Sequence, residues 1–230
     1  MITYLIALFI FLAVFILISH SINNKRINDE MKMQQTEHPD VNIISLLQGK
    51  KLPTIFLYEL ELWEGFDLLI GEEYETIKEV LDNKEAFNKL KYYLKPYNLP
   101  LSTGWNITFQ KNETEWSNLP NQPIRETSYN HLIANFSGLM MICLFNPSSE
   151  NLALLENKSS NISDSDNNNL NIKDIIQNEE KIKETGLEYI IVPVRPSNMI
   201  YIPYGWYYWI YNGIDNKYCC YLDCKNNSIV

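Results

Sequence analysis

The run PSNMIYIPYGW, residues 196–206, followed directly by YYWIY, residues 207–211, decides how this chain folds. Pro196 fixes its own φ and opens a turn. Met199 to Ile202 is a short run of apolar and aromatic residues, the texture of a strand. Pro203 and Gly205 then force a tight corner before the aromatic run begins. The same texture recurs outward from this corner. WNITF (105–109), HLIANF (131–136), LMMICLF (139–145), YIIVPV (189–194), MIYIP (199–203) and YCCYL (218–222) are short, rich in β-branched and aromatic residues, and separated by Asn, Pro and Gly. Such side chains pack well on a pleated surface. The pattern predicts a mainly β domain, a sandwich or jelly roll with helices on one side.

The front of the domain differs. LPTIFLYELEL (52–62) is strand-like, with apolar and acidic residues alternating near its end. Residues 72–95 carry apolar side chains at a three-to-four spacing and stop at Pro96, which predicts a helix. Residues 157–171 (NKSSNISDSDNNNLN) are polar and of low complexity, and are expected as a disordered insert between strands. A short helix over 172–185 should follow and end at Gly186.

Ile2 to Ser19 contains no charge and is apolar all round. Eighteen residues of helix span about 27 Å, close to a bilayer core. An amphipathic face would lie on a membrane, whereas this uniform one should cross it. Two readings compete: a cleaved signal peptide, against which stand the missing Lys/Arg n-region, the long apolar run and the lack of a small-x-small cleavage site, and a buried core helix. Lys25, Arg26 and Lys32 follow the segment and none precedes it, so the positive-inside rule places the C-terminal domain on the cytoplasmic side, or in the virion interior if the membrane is a viral envelope. The expected organisation is an anchor over 1–20, a polar stalk over 21–50 and one domain over 51–230.

Composition excludes several functions. The net charge is −9, so a basic face for phosphates is not expected and nucleic-acid binding is disfavoured. Four Cys (143, 219, 220, 224) contain no CxxC pair, and His20, His38 and His131 lie far apart. No zinc ligand set can be assembled from them. The cysteines read as buried or free thiols, with a disulfide from Cys224 to Cys219 or Cys220 left open. Glycosylation sequons stand at Asn106, Asn112, Asn135, Asn157, Asn161 and Asn226, but a chain with 27 Asn produces them by chance. No GxSxG, Walker loop, GxGxxG or HExxH is present. A His131–Cys143 pairing lacks a third member.

The 196–206 run resembles the PGDxxxIPxGWxH signature of JmjC and cupin-like Fe(II)/2-oxoglutarate hydroxylases. Upstream, His131 to Gly138, then LMMICLF and Asn146-Pro147, resembles that family's strand pair ending in LFxP. The resemblance covers roughly residues 52–224. It implies a double-stranded β-helix, a jelly-roll barrel of cupin type, behind the anchor helix.

Active members of the family hold iron with two His and one carboxylate. Against that pattern, Arg125-Glu126-Thr127 stands where HxD is expected. Tyr208 stands at the later His, and Met140 replaces the Lys that binds 2-oxoglutarate. A guanidinium cannot be a metal ligand. The resemblance therefore implies no metal, no cofactor and no catalytic residue. It implies a pocket lined by Arg125, Glu126, Trp206 and Tyr208, in which Arg125 either binds a carboxylate or phosphate or pairs with a nearby acid such as Glu126.

The expected function is a membrane-anchored, non-catalytic domain for binding or assembly, with a membrane and a protein as partners and no nucleic acid. Two alternatives stand beside it. One is an active oxygenase with altered ligands, Glu126, His131 and Tyr208. The other is a structural membrane protein, for instance of a large DNA virus envelope, with an unrelated β-domain; the Asn-rich composition motivates it.

Overall fold

The computed structural model describes residues 2–37, 49–57, 82, 84, 88, 102–155, 172–214 and 218–228. Helix α1 (Ile2–Asn24) runs four residues beyond the expected anchor boundary. At 1.5 Å per residue its 23 residues reach about 35 Å. Its apolar side chains are exposed along its length, and it is long and apolar enough to cross a membrane.

Ten strands form two sheets among the described residues. They are β1 (Gln34–Thr36), β2 (Thr54–Phe56), β3 (Ser102–Asn112), β4 (Ile124–Arg125), β5 (Asn130–Ser137), β6 (Met140–Phe145), β7 (Ile190–Val194), β8 (Met199–Pro203), β9 (Tyr207–Asn212) and β10 (Cys219–Ser228). The first sheet has the order β1-β2-β8-β5-β10-β3 and the second β4-β9-β6-β7. Neither sheet closes on itself. All seven aromatic-rich runs form strands, those of β6, β7 and β10 from their second residue. The strand expected over 52–62 covers only Thr54–Phe56, and its remainder from residue 58 lies outside the described residues. So do most of the helix expected over 72–95 and all of the insert expected over 157–171; residues 82, 84 and 88 are helical.

Alternation sorts the side chains. Ile133 of β5, Ile200 and Ile202 of β8, Met140, Ile142 and Leu144 of β6, Val192 and Val194 of β7, and Tyr208 of β9 meet in one buried cluster between the sheets. The opposite face of the second sheet buries Cys143, Phe145, Tyr207, Trp209 and Tyr211. Three helices supply the apolar cover: α2 (Ser149–Leu155), α3 (Ile172–Ile176) and α4 (Glu179–Thr185). The single helix expected over 172–185 is thus two. Asn178 breaks it, because its side chain accepts from the N–H groups of Glu180 and Lys181 and caps α4. Gly186 ends α4 in the left-handed conformation.

Of the segment expected as a polar stalk, residues 34–36 belong to the first sheet, where β1 pairs in parallel with β2. The four cysteines are free and buried, so no disulfide joins Cys224 to its neighbours.

Gly138, between β5 and β6, sits at φ 73°, and a Cβ there would lie 2.3 Å from the Tyr218 carbonyl oxygen. Gly138→Ala should cost about 1–3 kcal/mol for the backbone conformation alone, with the clash added. Gly186→Ala is the control, since nothing lies within 4 Å of its Cβ position. Thermal unfolding in detergent should show the larger drop for Gly138→Ala. Equal drops would mean that the approach of Tyr218 is not what demands glycine.

Candidate functional site

The corner between β8 and β9 holds the tail of β4 in place. Glu126 N–H donates to the Trp206 carbonyl at 2.7 Å, and Gly205 N–H donates to the Glu126 carbonyl at 2.9 Å. β4 pairs with β9 so that Ile124 faces Tyr208 and Arg125 faces Tyr207. This pinning turns the Glu126 side chain into the protein. One carboxylate oxygen accepts from Ser128 N–H at 2.5 Å, and the other contacts His131 Nδ1.

His131 lies on β5, wholly buried. Its Nε2 meets Asp223 Oδ1 of β10 at 2.6 Å. Asp223 in turn pairs through Oδ2 with Lys225 Nζ at 3.3 Å. The result is a chain of alternating charge, Glu126–His131–Asp223–Lys225, across three elements. The Tyr208 ring caps it, edge-on to the imidazole with centroids 5.4 Å apart. The Glu126 contact is an ion pair without a hydrogen bond, so it acts through charge, whereas Asp223 makes the directional bond.

Burial opposes ionisation of all three groups, and the pairing overcomes it. Desolvation pushes the His131 pKa down, but the Asp223 bond and the charges of Glu126 and Asp223 raise it above the ordinary imidazole value. Desolvation likewise pushes Glu126 and Asp223 up, yet His131 holds both below the usual carboxylate range. Burial, then the charges of Glu126 and Asp223, raise the Tyr208 phenol, which stays neutral.

The expected site residues separate. Glu126, Trp206 and Tyr208 are buried and adjacent, while Arg125 and Thr127 are exposed. Both residues of β4 are exposed, and the chain turns inward only past the strand, where main-chain bonds to Trp206 and Gly205 hold Glu126. The Arg125 guanidinium lies over the outer Tyr207 ring at 5.7 Å. Met140 is fully buried in the core between the sheets. His131 and Cys143 do not pair, because Cys143 packs in the cluster under the helices.

Iron does not fit the donors as they stand. Imidazole lone pairs diverge, and the two carboxylates occupy opposite nitrogens of one ring, so the three groups cannot converge on a single ion. Among the described residues no group of three or more His, Cys, Asp or Glu is arranged to hold a metal. Asp223 escaped the sequence reading because it falls one residue past the YCCYL run. Its signal was the alternation Tyr221, Asp223, Lys225, which sets a charge pair on the inward face of a buried strand.

A separate cleft of about 640 Å³ is lined by Trp116, Met141, Tyr211 and Gly213 among others and shares no residue with this charge chain. The chain matches no protein-family profile and no curated protein sequence.

Proposed function

We propose that this protein is a membrane-anchored, non-catalytic domain of the JmjC/cupin-like jelly-roll type, used for binding or assembly. The observation that carries the reading is His131: both ring nitrogens are spent on carboxylates at the place where the resemblance expects a metal centre. Strand order supports the jelly-roll assignment. From β3 to β10 the chain steps first, second, first, second, second, first, second, first between the two sheets. The test is anaerobic Fe(II) titration with 2-oxoglutarate on the full chain in detergent. No stoichiometric binding is expected. One iron per chain with 2-oxoglutarate turnover would overturn the reading.

The C-terminal domain lies on the cytoplasmic side in this proposal. Lys25 and Arg26 directly follow α1. Two sequon asparagines are fully buried: Asn135, whose Nδ2 donates to the carbonyls of Gly138 and Val194, and Asn226. A glycan on either is incompatible with the fold, and four buried free thiols suit a reducing compartment. Expression in glycosylating cells should give a protein with no glycan at Asn106, the exposed acceptor on β3. Glycosidase-sensitive mass at Asn106 would place the domain on the other side.

A further inference from the structure

Ten residues after the anchor, 27–36, run along one end of the facing sheets and are held largely by their main chain. Trp206 Nε1 donates to the Asn28 carbonyl at 3.2 Å, and Asn146 Nδ2 donates to the Asp29 carbonyl at 2.6 Å. Gln34 N–H donates to the Pro53 carbonyl, and β1 completes a parallel ladder with β2. Met31 and Met33, two residues apart, pack against the core between the sheets, while Asp29, Glu30, Lys32 and Gln35 are exposed. Gly205 permits the approach, since a Cβ there would lie 3.1 Å from the Ile27 side chain.

The groups that receive this segment are built by the rest of the domain. Trp206 and Asn146 are both buried. Asn151 Nδ2 holds Asn146 through its carbonyl and its side-chain oxygen. Main-chain bonds with pockets for alternate side chains are how strand-addition sites take a peptide.

We propose that this end of the domain is a binding site for an extended polypeptide with apolar residues at alternate positions. Its resident occupant is the chain's own segment 27–36. The membrane anchor is thereby clipped to the domain, and an outside segment gains entry only when the clip is released. The inference rests on the binding reading above and names the ligand class.

The test uses the full chain in detergent micelles. In the wild type, amides of 28–36 should exchange with deuterium through a separate opening, at least tenfold faster than those of β5 and β10. A fluorescent peptide of sequence INDEMKMQQT should bind a Met31→Asp/Met33→Asp variant at least tenfold more tightly than the wild type, whose own segment competes at roughly millimolar effective concentration. Adding Trp206→Phe should weaken that binding. Exchange of 28–36 only through global unfolding would overturn the proposal, as would a peptide that binds neither protein or both equally. The exchange measurement needs no variant, so it decides even if the double substitution fails to fold. Should the peptide fail while iron binding stays absent, this proposal falls and the binding reading stands. Stoichiometric iron would remove the reading itself.

Discussion

Replacing His131 with leucine is expected to cost about 3–5 kcal/mol of folding stability, because it strands two carboxylates in the interior without their shared cation. The Glu126 side chain is 2% exposed and that of Asp223 20%, so water offers little relief. In a domain of this size each kcal/mol moves the melting temperature by roughly 2–4 °C, so a drop on the order of 10 °C should appear. The control is the triple variant His131→Leu with Glu126→Gln and Asp223→Asn. With no carboxylate left unpaired, and only the partly exposed Lys225 without its partner, part of the loss should return, because a buried ion network and a neutral substitute are often close in stability. Equal losses in the single and triple variants would show that packing around the ring, and not its charge, is what matters.

The same network sets a pH window. His131 titrates higher in the folded chain than its ordinary 6.5, so its stabilisation is complete below that value and is lost as pH rises through the raised pKa. Glu126 and Asp223 titrate lower than their ordinary 4.5 and 3.8. Their stabilisation is complete above those values and is lost as pH falls through the depressed ones. Melting temperature should therefore plateau between the ordinary carboxylate and imidazole values and decline on both sides. The His131→Leu protein should lack the component of the alkaline decline that begins near 6.5. An unchanged alkaline limb in that variant would refute the assignment of a raised pKa to His131.

The second large effect belongs to Trp206. Trp206→Ala should cost about 3–5 kcal/mol, the range for emptying a large aromatic site in a packed core. It also removes the indole donor to Asn28, and with it one tether of the segment that follows α1. Two readouts should move together: the melting temperature falls, and trypsin cleavage at Lys32 accelerates. Trp206→Phe keeps most of the ring and loses only the donor, so its melting temperature should fall less while cleavage at Lys32 still rises. If Trp206→Phe left cleavage at the wild-type rate, the indole bond would not be what holds the segment.

Much of the frame was legible because periodicity and composition are local properties. The uniform apolarity of residues 2–19 dictates a helix with no preferred buried face. Each aromatic-rich run between Asn, Pro and Gly breaks became a strand, and the Pro203–Gly205 corner fell between β8 and β9. The short β4 was invisible, since Ile124 and Arg125 carry no pattern of their own and are strand only because β9 lies beside them. Residues 25–36 resisted a local reading for the same reason. Their polar side chains face out, and what fixes them is their main chain, which composition does not report.

The candidate site divides in the same way. Trp206, Tyr208 and Glu126 could be named from the sequence because the IPxGW corner and the HxD-like triplet are short and contiguous. Which member of the triplet points inward could not, because only the main-chain bonds of Glu126 to Trp206 and Gly205, 80 and 79 residues on, make that choice. That choice put Glu126 inside and Arg125 outside. Asp223 comes from a strand 92 residues beyond His131, and no local rule connects the two. By itself the sequence determined the long apolar N-terminal helix, the β class and the corner, all of which rest on residue chemistry over a few positions. The tertiary structure alone decided that one buried histidine is shared by two acids and that the segment after α1 docks onto the domain. Both depend on which strands are neighbours, and strand neighbours are set by the global packing of apolar faces.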